Sequence, residues 1–475
     1  MLKNRCAAGI LPAIRLNAAL SVAWVALVAG CSQTQPPVAT SPSPQSDASR
    51  SSVNQTESRA AEAPGSNNTP LNSVSSATKQ RISLAVPPDN PIPATNAEIQ
   101  QYINVLAAKG FAKETQGVWI QSGNTLLANH QGTVPLPAAS VTKVATTLAA
   151  LQTFGPEHQF VTLIAATGPI ENGELQGDLV IQGGEDPFFV WEEAVAVGNL
   201  LNQMGIKRVT GNLVIVGKFY MNFKADPQAA GNMLKLGLNS QSWPAEAQTQ
   251  FQTLPPGTPR PVVAIAGSVQ VSPSTPSNSR PLVRHFSFPL AELLKKMNRY
   301  SNNFMADMLA NSVGGAKVVS YKAAAAAGVP QAEVQVINGS GLGLVNRISP
   351  RAAIAMFLAI ERYLQPSNMT VADIFTIVGQ DEGILSERQI PPLSVVKSGS
   401  LDNVSALAGA LPTQKQGTVW FAIMNVGEDL QGFRTQQEVL LKGFRTQWGA
   451  VQSLPPELTP NPARKSKISS NEIVQ

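Results

Sequence analysis

The chain has 475 residues, 43% of them apolar and 14% charged, with 36 Gly and 36 Pro; this fits one or two globular domains with a large core and excludes a fibre, a coiled coil or a multi-pass membrane protein. Lys and Arg number 35 against 30 Asp and Glu, a formal charge of +5 spread along the chain. No basic run interleaved with aromatics follows from it, so nucleic acid is not an expected partner. The two cysteines, Cys6 and Cys31, precede anything that reads as a domain, which leaves no disulfide framework and no Cys-based metal site in the folded part. No metal and no cofactor is expected.

At the N-terminus Lys3, Arg5 and Arg15 form a positive region, Leu16 to Ala29 is an apolar run broken by Asn17 and Ser21, and the small residues Ala29 and Gly30 precede Cys31. This reads as an export signal over residues 1–30. Leu27-Val28-Ala29-Gly30-Cys31 resembles the lipobox of bacterial lipoproteins, which implies that Cys31 is acylated and anchors the chain to a membrane; a plain secretory signal or a short membrane helix are the other readings, the run being short for a span. Residues 31–92 are rich in Ser, Pro, Thr, Gln, Asn and Ala with hardly an aromatic. Such a stretch cannot bury enough apolar surface to fold, and it predicts a disordered tether with an r.m.s. reach of roughly 40 Å.

Folded structure is expected from Thr95-Asn96-Ala97-Glu98, which matches a capping box, followed by Ile99, Ile103 and Leu106 at helical spacing up to Gly110. Gly117–Gln121 and Thr125–Asn129 flank the turn sequence Ser122-Gly123-Asn124 and predict a hairpin. Val141, Val144, Ala145, Leu148 and Leu151 form one stripe of a buried helix over 139–154, closed by Gly155-Pro156. Strand-like runs follow at 160–165, 177–182, 208–216 and 261–271, with a helix near 190–204 and a Pro/Gln/Ser-rich stretch near 240–260. Helical pattern resumes at 290–297 and 304–313 with a loop between, and again after Ser349-Pro350. Three strands at 393–400, 404–410 and 417–426, a helix near 430–447 and a polar tail close the chain. Strands at both ends with helices between predict an antiparallel sheet built from the N- and C-terminal parts, an α+β design.

Three short motifs stand in order: Ser140-Val141-Thr142-Lys143, Ser301-Asn302-Asn303 and Lys397-Ser398-Gly399, the S-x-x-K, S-x-N and K-[ST]-G set of penicillin-binding proteins and β-lactamases. Each alone is weak, since S-x-x-K recurs at Ser76 and Ser394 and S-x-N at Ser52, Ser66, Ser122 and Ser469; K-[ST]-G occurs once. Context selects among them. Ser140 and Lys143 fall at i and i+3 in the first turn of a buried helix, so hydroxyl and amine share a face where the helix N-terminus favours a developing oxyanion. Lys397 falls on a strand whose edge can hold an extended peptide. A serine nucleophile needs a base. The three histidines, His130, His158 and His285, stand in no recognisable catalytic context, and a Ser-His-Asp triad is unsupported. Neutral Lys143 is the better base, since burial and a second cation, Lys397, both push its pKa down.

With these motifs placed, the chain resembles the low-molecular-mass class C penicillin-binding proteins, the penicillin-binding protein 4 type of D-alanyl-D-alanine carboxypeptidase/endopeptidase, over roughly residues 115–428. Pro135 to Lys143 is similar to the family's nucleophile segment. Gly177-Asp178-Leu179 with Gly183-Gly184-Glu185-Asp186-Pro187, and Asn338-Gly339-Ser340-Gly341-Leu342 with Asn346-Arg347-Ile348-Ser349, resemble its G-D-L, G-G-x-D-P and D-G-S-G-L…N-R-x-S segments. Ser398 replaces the commoner Thr and Asn338 the usual Asp, and residues 220–260 fit the family poorly. The clusters 183–187, 338–342 and 381–383 read as turns or loops, the second with an alternative reading as part of the cleft wall.

The resemblance implies an α+β serine penicillin-binding/β-lactamase-like transpeptidase fold, an antiparallel sheet flanked by helices, with an inserted mixed, strand-rich domain. The catalytic domain would occupy 93–159 and 285–450, the inserted domain 160–284, and a polar tail 451–475. It further implies that Ser140 is the acylated nucleophile and Lys143 its base, that Ser301 and Asn303 move protons and position the substrate amide, and that Lys397 and Ser398 bind the substrate carboxylate, with Gly399 and Ser400 beside them. The oxyanion would be met by the N–H groups of Ser140 and Ser400. The expected function is a serine D-alanyl-D-alanine carboxypeptidase/endopeptidase of the cell envelope, acting on peptidoglycan stem peptides and acylated by β-lactams. A β-lactamase or esterase on the same scaffold, or an inactive wall-binding lipoprotein, are the alternatives.

Overall fold

The computed structural model describes residues 90–474. The export signal, Cys31 and nearly all of the tether expected for 31–92 lie outside the described residues.

A central antiparallel sheet joins strands from the two ends of the chain in the order Thr376–Ile377, Val395–Leu401, Val404–Thr413, Gly417–Val426, Gln116–Ser122, Thr125–His130. Its two faces follow from the two-residue period of a strand. Val118, Ile120, Leu407, Phe421 and Ile423 pack against Ile99, Ile103, Phe433, Leu441 and Phe444 of the helices Pro93–Ala108 and Leu430–Trp448. Their neighbours Trp119, Ala408, Trp420, Ala422 and Met424 face the opposite way, into a core with the helices Lys143–Phe154, Leu290–Arg299, Asn303–Val313, Ala316–Ala327 and Pro350–Leu364. Both helical layers are thus fixed by which residues of each strand are odd and which even.

Between Phe154 and Leu290 the chain leaves this core for a second one. Its six-stranded mixed sheet has the order Val269–Ser272, Leu213–Lys218, Leu179–Gly184, Val161–Ala166, Arg280–Phe286, Ser470–Ile473, parallel over the first three strands and antiparallel beyond. Leu213, Ile215, Leu179, Ile181 and Ile164 form a separate apolar cluster with residues of the helices Trp191–Gln203 and Pro227–Gly237.

Several expectations change. The first helix starts at Pro93, not at a capping box: Ile92 is the N-cap without a side-chain bond and Thr95 lies buried inside the helix, because proline's fixed φ already suits the first turn. The run 208–216 divides into Arg208–Val209 and Leu213–Lys218 at Thr210-Gly211-Asn212, where a Cβ on Gly211 would sit 2.3 Å from Asp178 Oδ1. The helices Pro227–Gly237 and Ala316–Ala327 are present where none was expected. The polar tail expected at 451–475 contributes a strand. Its Ser470–Ile473 pairs with Val283–Phe286 as an edge strand of the second sheet, through backbone bonds that a polar sequence can make as well as an apolar one. The C-terminus therefore returns to the unit expected to be bounded by 160–284, and the strand Arg280–Phe286 overruns that boundary by two residues.

Candidate active site

The site is built around a strained turn. The short strand Leu136–Pro137 pairs with Arg347–Ile348 and leads into a 3-10 turn, Ala139–Thr142, that continues directly as the helix Lys143–Phe154. Ala139 has φ 45°, a left-handed conformation that costs a residue with a Cβ on the order of 1–2 kcal/mol. The strain lies one residue before Ser140. Two glycines press on the same backbone: a Cβ on Gly341, whose φ is 82°, would stand 1.9 Å from the Ala139 carbonyl oxygen, and one on Gly399 2.8 Å from the Ser140 nitrogen. The loop 338–342 and the strand Val395–Leu401 can close on the nucleophile segment only because both positions lack a side chain.

Lys143 is fully buried. Its Nζ lies 2.9 Å from Ser140 Oγ, 2.7 Å from Asn303 Oδ1 and 2.8 Å from the Ser340 carbonyl oxygen. A neutral amine has two N–H groups and one lone pair. Asn303 and Ser340 present oxygens that accept the two N–H groups, so the lone pair is left for the Ser140 O–H. Burial lowers the Lys143 pKa to about 7, with the negative charge of Asp307 pulling the other way. At neutral pH the amine is thereby available as a base.

The second motif is held by a left-handed turn at Ser301, φ 52°. Asn302 caps the next helix by accepting from the Met305 N–H at 3.0 Å, which leaves Asn303 free to face Lys143. Lys397, 1% exposed, donates to Ser301 Oγ at 3.0 Å and to the Ser398 carbonyl at 2.6 Å. Burial and then the charge of Lys143 push its pKa down. The two ammonium groups repel one another in a poorly solvated space, so the site resists holding both charges.

The third motif lies on a partly open strand. Val395–Leu401 pairs along its whole length with Val404–Ala410 on one side, but on the other only Val395 and Val396 are paired, with Ile377 and Thr376. The edge from Lys397 to Leu401 is unpaired beside Ser140, where an extended peptide could add as a strand. Ser398 and Ser400 alternate with Lys397 and share the other face of the strand.

All five residues expected to be catalytic are thus joined in two hydrogen-bonded groups, Ser140–Lys143–Asn303 and Ser301–Lys397, with Ser398, Gly399 and Ser400 alongside. The competing motifs are not part of it. Ser394 donates to the Pro391 carbonyl and Ser122 to that of Gln416, while Ser76 lies outside the described residues. No histidine bonds Ser140: His130 contacts the Lys113 carbonyl, His158 stacks on Phe154 and meets Phe160 edge to face, and His285 is buried in the second sheet.

The loop 338–342, read first as a tight turn and alternatively as part of the cleft wall, is a turn whose Ser340 carbonyl meets Lys143. Asn338 Oδ1 accepts from the Gly341 N–H at 2.8 Å, its amide donates to the Leu342 carbonyl at 2.8 Å, and Asn346 Oδ1 accepts from the Ile337 and Asn338 N–H groups. This folded loop aims the Ser340 carbonyl at Lys143, and Asp307 fixes it by accepting from the Ser340 N–H at 2.9 Å. Asp307 was missed altogether. It stands four residues beyond Asn303, on the same helix face, and that spacing was the available signal. The cluster 183–187 ends a strand: Glu185 pairs with Lys218 at 2.7 Å and accepts from Ser312, and Asp186 accepts from the Phe188 N–H.

Such an arrangement can deprotonate a serine hydroxyl with an amine, hold an acyl group on it, and return the proton through Ser301 and Lys397 to a leaving amine. Comparison with known proteins points the same way. The sequence profile of the D-Ala-D-Ala carboxypeptidase 3 (S13) family matches residues 99–228 and 262–442, passing over 229–261, within which most of the poorly fitting region falls. The D-alanyl-D-alanine carboxypeptidase DacB of Haemophilus influenzae is 23% identical, over 63% of this chain and 82% of its own, and a carboxypeptidase of Mycobacterium tuberculosis is 25% identical, over 62% and 71%. Among solved structures, a penicillin G-acylated predatory endopeptidase of Bdellovibrio bacteriovorus, in complex with an immunity protein, superposes with a TM-score of 0.62 at 20% identity, over 75% of this chain and 99% of that one. Penicillin-binding protein 4 of Haemophilus influenzae superposes with a TM-score of 0.55 at 19% identity, over 73% and 99%. The fold is therefore shared with those enzymes.

Proposed function

The chain belongs to the D-Ala-D-Ala carboxypeptidase 3 (S13) family, and from that premise we propose that it is a serine-type D-alanyl-D-alanine carboxypeptidase/endopeptidase that works through an acyl-enzyme on Ser140. The observation that carries the reading is the three-way coordination of Lys143, which leaves its lone pair for the Ser140 hydroxyl. Lys143 takes the proton as Ser140 Oγ attacks the penultimate D-Ala carbonyl; the C–N bond then breaks, and the leaving amine takes its proton through Ser301, which Lys397 holds. Water releases the acyl group by the same route in reverse. Asn303 would position the substrate amide, and the substrate would lie as an added strand along Lys397–Leu401 with its carboxylate toward Ser398. The Ser140 and Ser400 N–H groups would stabilise the oxyanion, donors that commonly contribute about 3 kcal/mol each.

β-Lactams present a strained amide to the same hydroxyl and would acylate Ser140. The fold's solved penicillin adduct supports this. The substrate places the enzyme outside the cytoplasm, in the cell envelope, and no helix among the described residues is long and apolar enough to cross a membrane. Cys31, with Leu27 to Gly30 before it, would supply a lipid anchor. Fatty-acid labelling of the full chain in cells, lost in Cys31→Ser, tests that part.

Purified disaccharide pentapeptide and a cross-linked muropeptide dimer, each incubated with the full chain and with Ser140→Ala, test the activity. Release of terminal D-Ala or conversion of dimer to monomer by the unmodified chain alone is expected. Unchanged muropeptides with both proteins would overturn it.

A further inference from the structure

Beside the third motif stands a guanidinium with little to hold it. Arg434, on the helix Leu430–Trp448, donates from Nη2 to Ser400 Oγ at 2.9 Å. Its Nε is buried without a hydrogen-bond partner. The carboxylate one helical turn along, Glu438, is taken by Arg388 at 2.5 Å, and among the described residues no carboxylate is within ion-pair distance of Arg434. Burial lowers the pKa of Arg388, Glu438 opposes that, and the charge of Arg434 adds weakly to it, so two guanidinium groups stand beside one carboxylate. Unpaired, partly buried arginine is costly, and a guanidinium fork fits a carboxylate in two-point fashion.

Its position makes the charge useful. Ser400 shares a strand face with Ser398, and Gly399 between them abuts the Ser140 nitrogen. A peptide added along the open edge of this strand, with its scissile carbonyl at the Ser140 and Ser400 N–H groups, carries its last residue toward Ser398, on the strand face that Ser400 and Arg434 share. Burial drives both lysines of the site toward neutrality, aided at Lys397 by the charge of Lys143 and opposed at Lys143 by Asp307. Arginine does not lose its charge in this range.

We propose that Arg434 is a specificity-determining residue: together with the Ser398 and Ser400 hydroxyls it recognises the free α-carboxylate of the substrate's leaving D-amino acid, so the enzyme selects peptides that end in a carboxylate over those blocked there. The inference rests on the peptidase reading given above. It applies to a terminal D-Ala and to any cross-link whose leaving residue keeps a free α-carboxylate.

The test uses the full chain with diacetyl-L-Lys-D-Ala-D-Ala and its C-terminal amide. The unmodified enzyme is expected to favour the free acid about tenfold or more in kcat/KM. Arg434→Gln is expected to lower kcat/KM on the free acid by about 10- to 100-fold, chiefly through KM, and on the amide by less than about threefold, collapsing the selectivity. Arg434→Lys, which keeps the charge but not the fork, should recover part of it and guards against misfolding of the glutamine variant. An equal loss on acid and amide, a loss carried by kcat alone, or an unmodified enzyme indifferent to the blocking group would each overturn the inference. Failure of the peptidase reading looks different, as the unmodified enzyme would then hydrolyse neither peptide.

Discussion

Two buried polar clusters sit in this molecule, one at Lys143 and one at His285, and they are organised on opposite electrostatic plans. The first brings like charges together: Lys143 and Lys397 are both buried, neither paired with a carboxylate, and burial pushes both toward the neutral amine, with the charge of the more distant Asp307 only partly opposing it at Lys143. The second joins unlike charges. His285 Nε2 lies 3.5 Å from Asp186 Oδ2 and its Nδ1 3.0 Å from Asn471 Oδ1 and 3.9 Å from Glu193 Oε2, while Ser469 donates to Glu193 at 2.8 Å. Burial alone would lower the His285 pKa, but Asp186 and Glu193 outweigh it and hold it above the usual value; burial pushes Glu193 up to about 7, partly offset by His285. The second cluster fastens the C-terminal strand to the sheet and opens to nothing. The first adjoins an unpaired strand edge and a strained turn. Burial of charge is common to both, so it does not distinguish function from structure; the sign of the neighbours and the open edge do.

That contrast predicts that equivalent substitutions fail in different ways. Lys143→Met should slow β-lactam acylation by about a thousandfold with no comparable loss of stability, read by quenched-flow mass measurement beside a thermal melt. His285→Leu should do the reverse: it leaves Asp186 and Glu193 buried without their cation, a loss of about 3 kcal/mol in unfolding free energy, with acylation by the protein that remains folded unchanged. If either variant shows the other's phenotype, the division between the clusters is wrong.

The pH dependences should differ as well. Protonated Lys143 cannot accept the serine proton, so the acylation rate constant should rise about tenfold per pH unit below about 7 and level off above it. His285 and Glu193 both have folded-state pKa values above their unfolded ones, so the folded state binds more protons and the contribution of their cluster is strongest at acid pH and falls as pH rises through neutrality. Hydrogen exchange of the strand Ser470–Ile473 would report that weakening. Asp307→Asn keeps an acceptor for the Ser340 N–H but removes the charge that raises the Lys143 pKa. The acid limb of acylation should then move to lower pH, making the variant faster than the parent at pH 6 by roughly a few-fold. The smallest effect is expected from removing residues 468–475, about 1 kcal/mol of stability with acylation intact.

What the sequence disclosed follows the same line. Ser140, Lys143, Ser301, Asn303 and Lys397 stand in short linear motifs because each reactive pair is local to a turn, a helix start or a strand, and so they were legible. The central sheet was legible too, because its strands alternate apolar residues toward two different helical layers. The contacts that complete the site are not local. The Ser340 carbonyl reaches Lys143 across 197 positions, and Arg434 reaches Ser400 from the far side of a hairpin; the segment around Ser340 was marked only by resemblance, and nothing in the neighbourhood of Arg434 marks it. The helix Ala316–Ala327, bounded by Gly315 and Gly328, both at positive φ, was missed though its alanines and flanking glycines signal it. The strand Ser470–Ile473 carries a single apolar residue, so no hydrophobic pattern could show it, and the His285 cluster that fastens it draws its parts from residues 186, 193, 285, 469 and 471.

The most direct test is intact-mass spectrometry of the full chain and of Ser140→Ala after brief exposure to penicillin G, followed by peptide mapping. One penicilloyl group on Ser140 in the parent and none in the variant is the predicted result. An adduct that persists in Ser140→Ala, maps to another residue, or never forms in the parent would contradict a lysine-activated serine at this site.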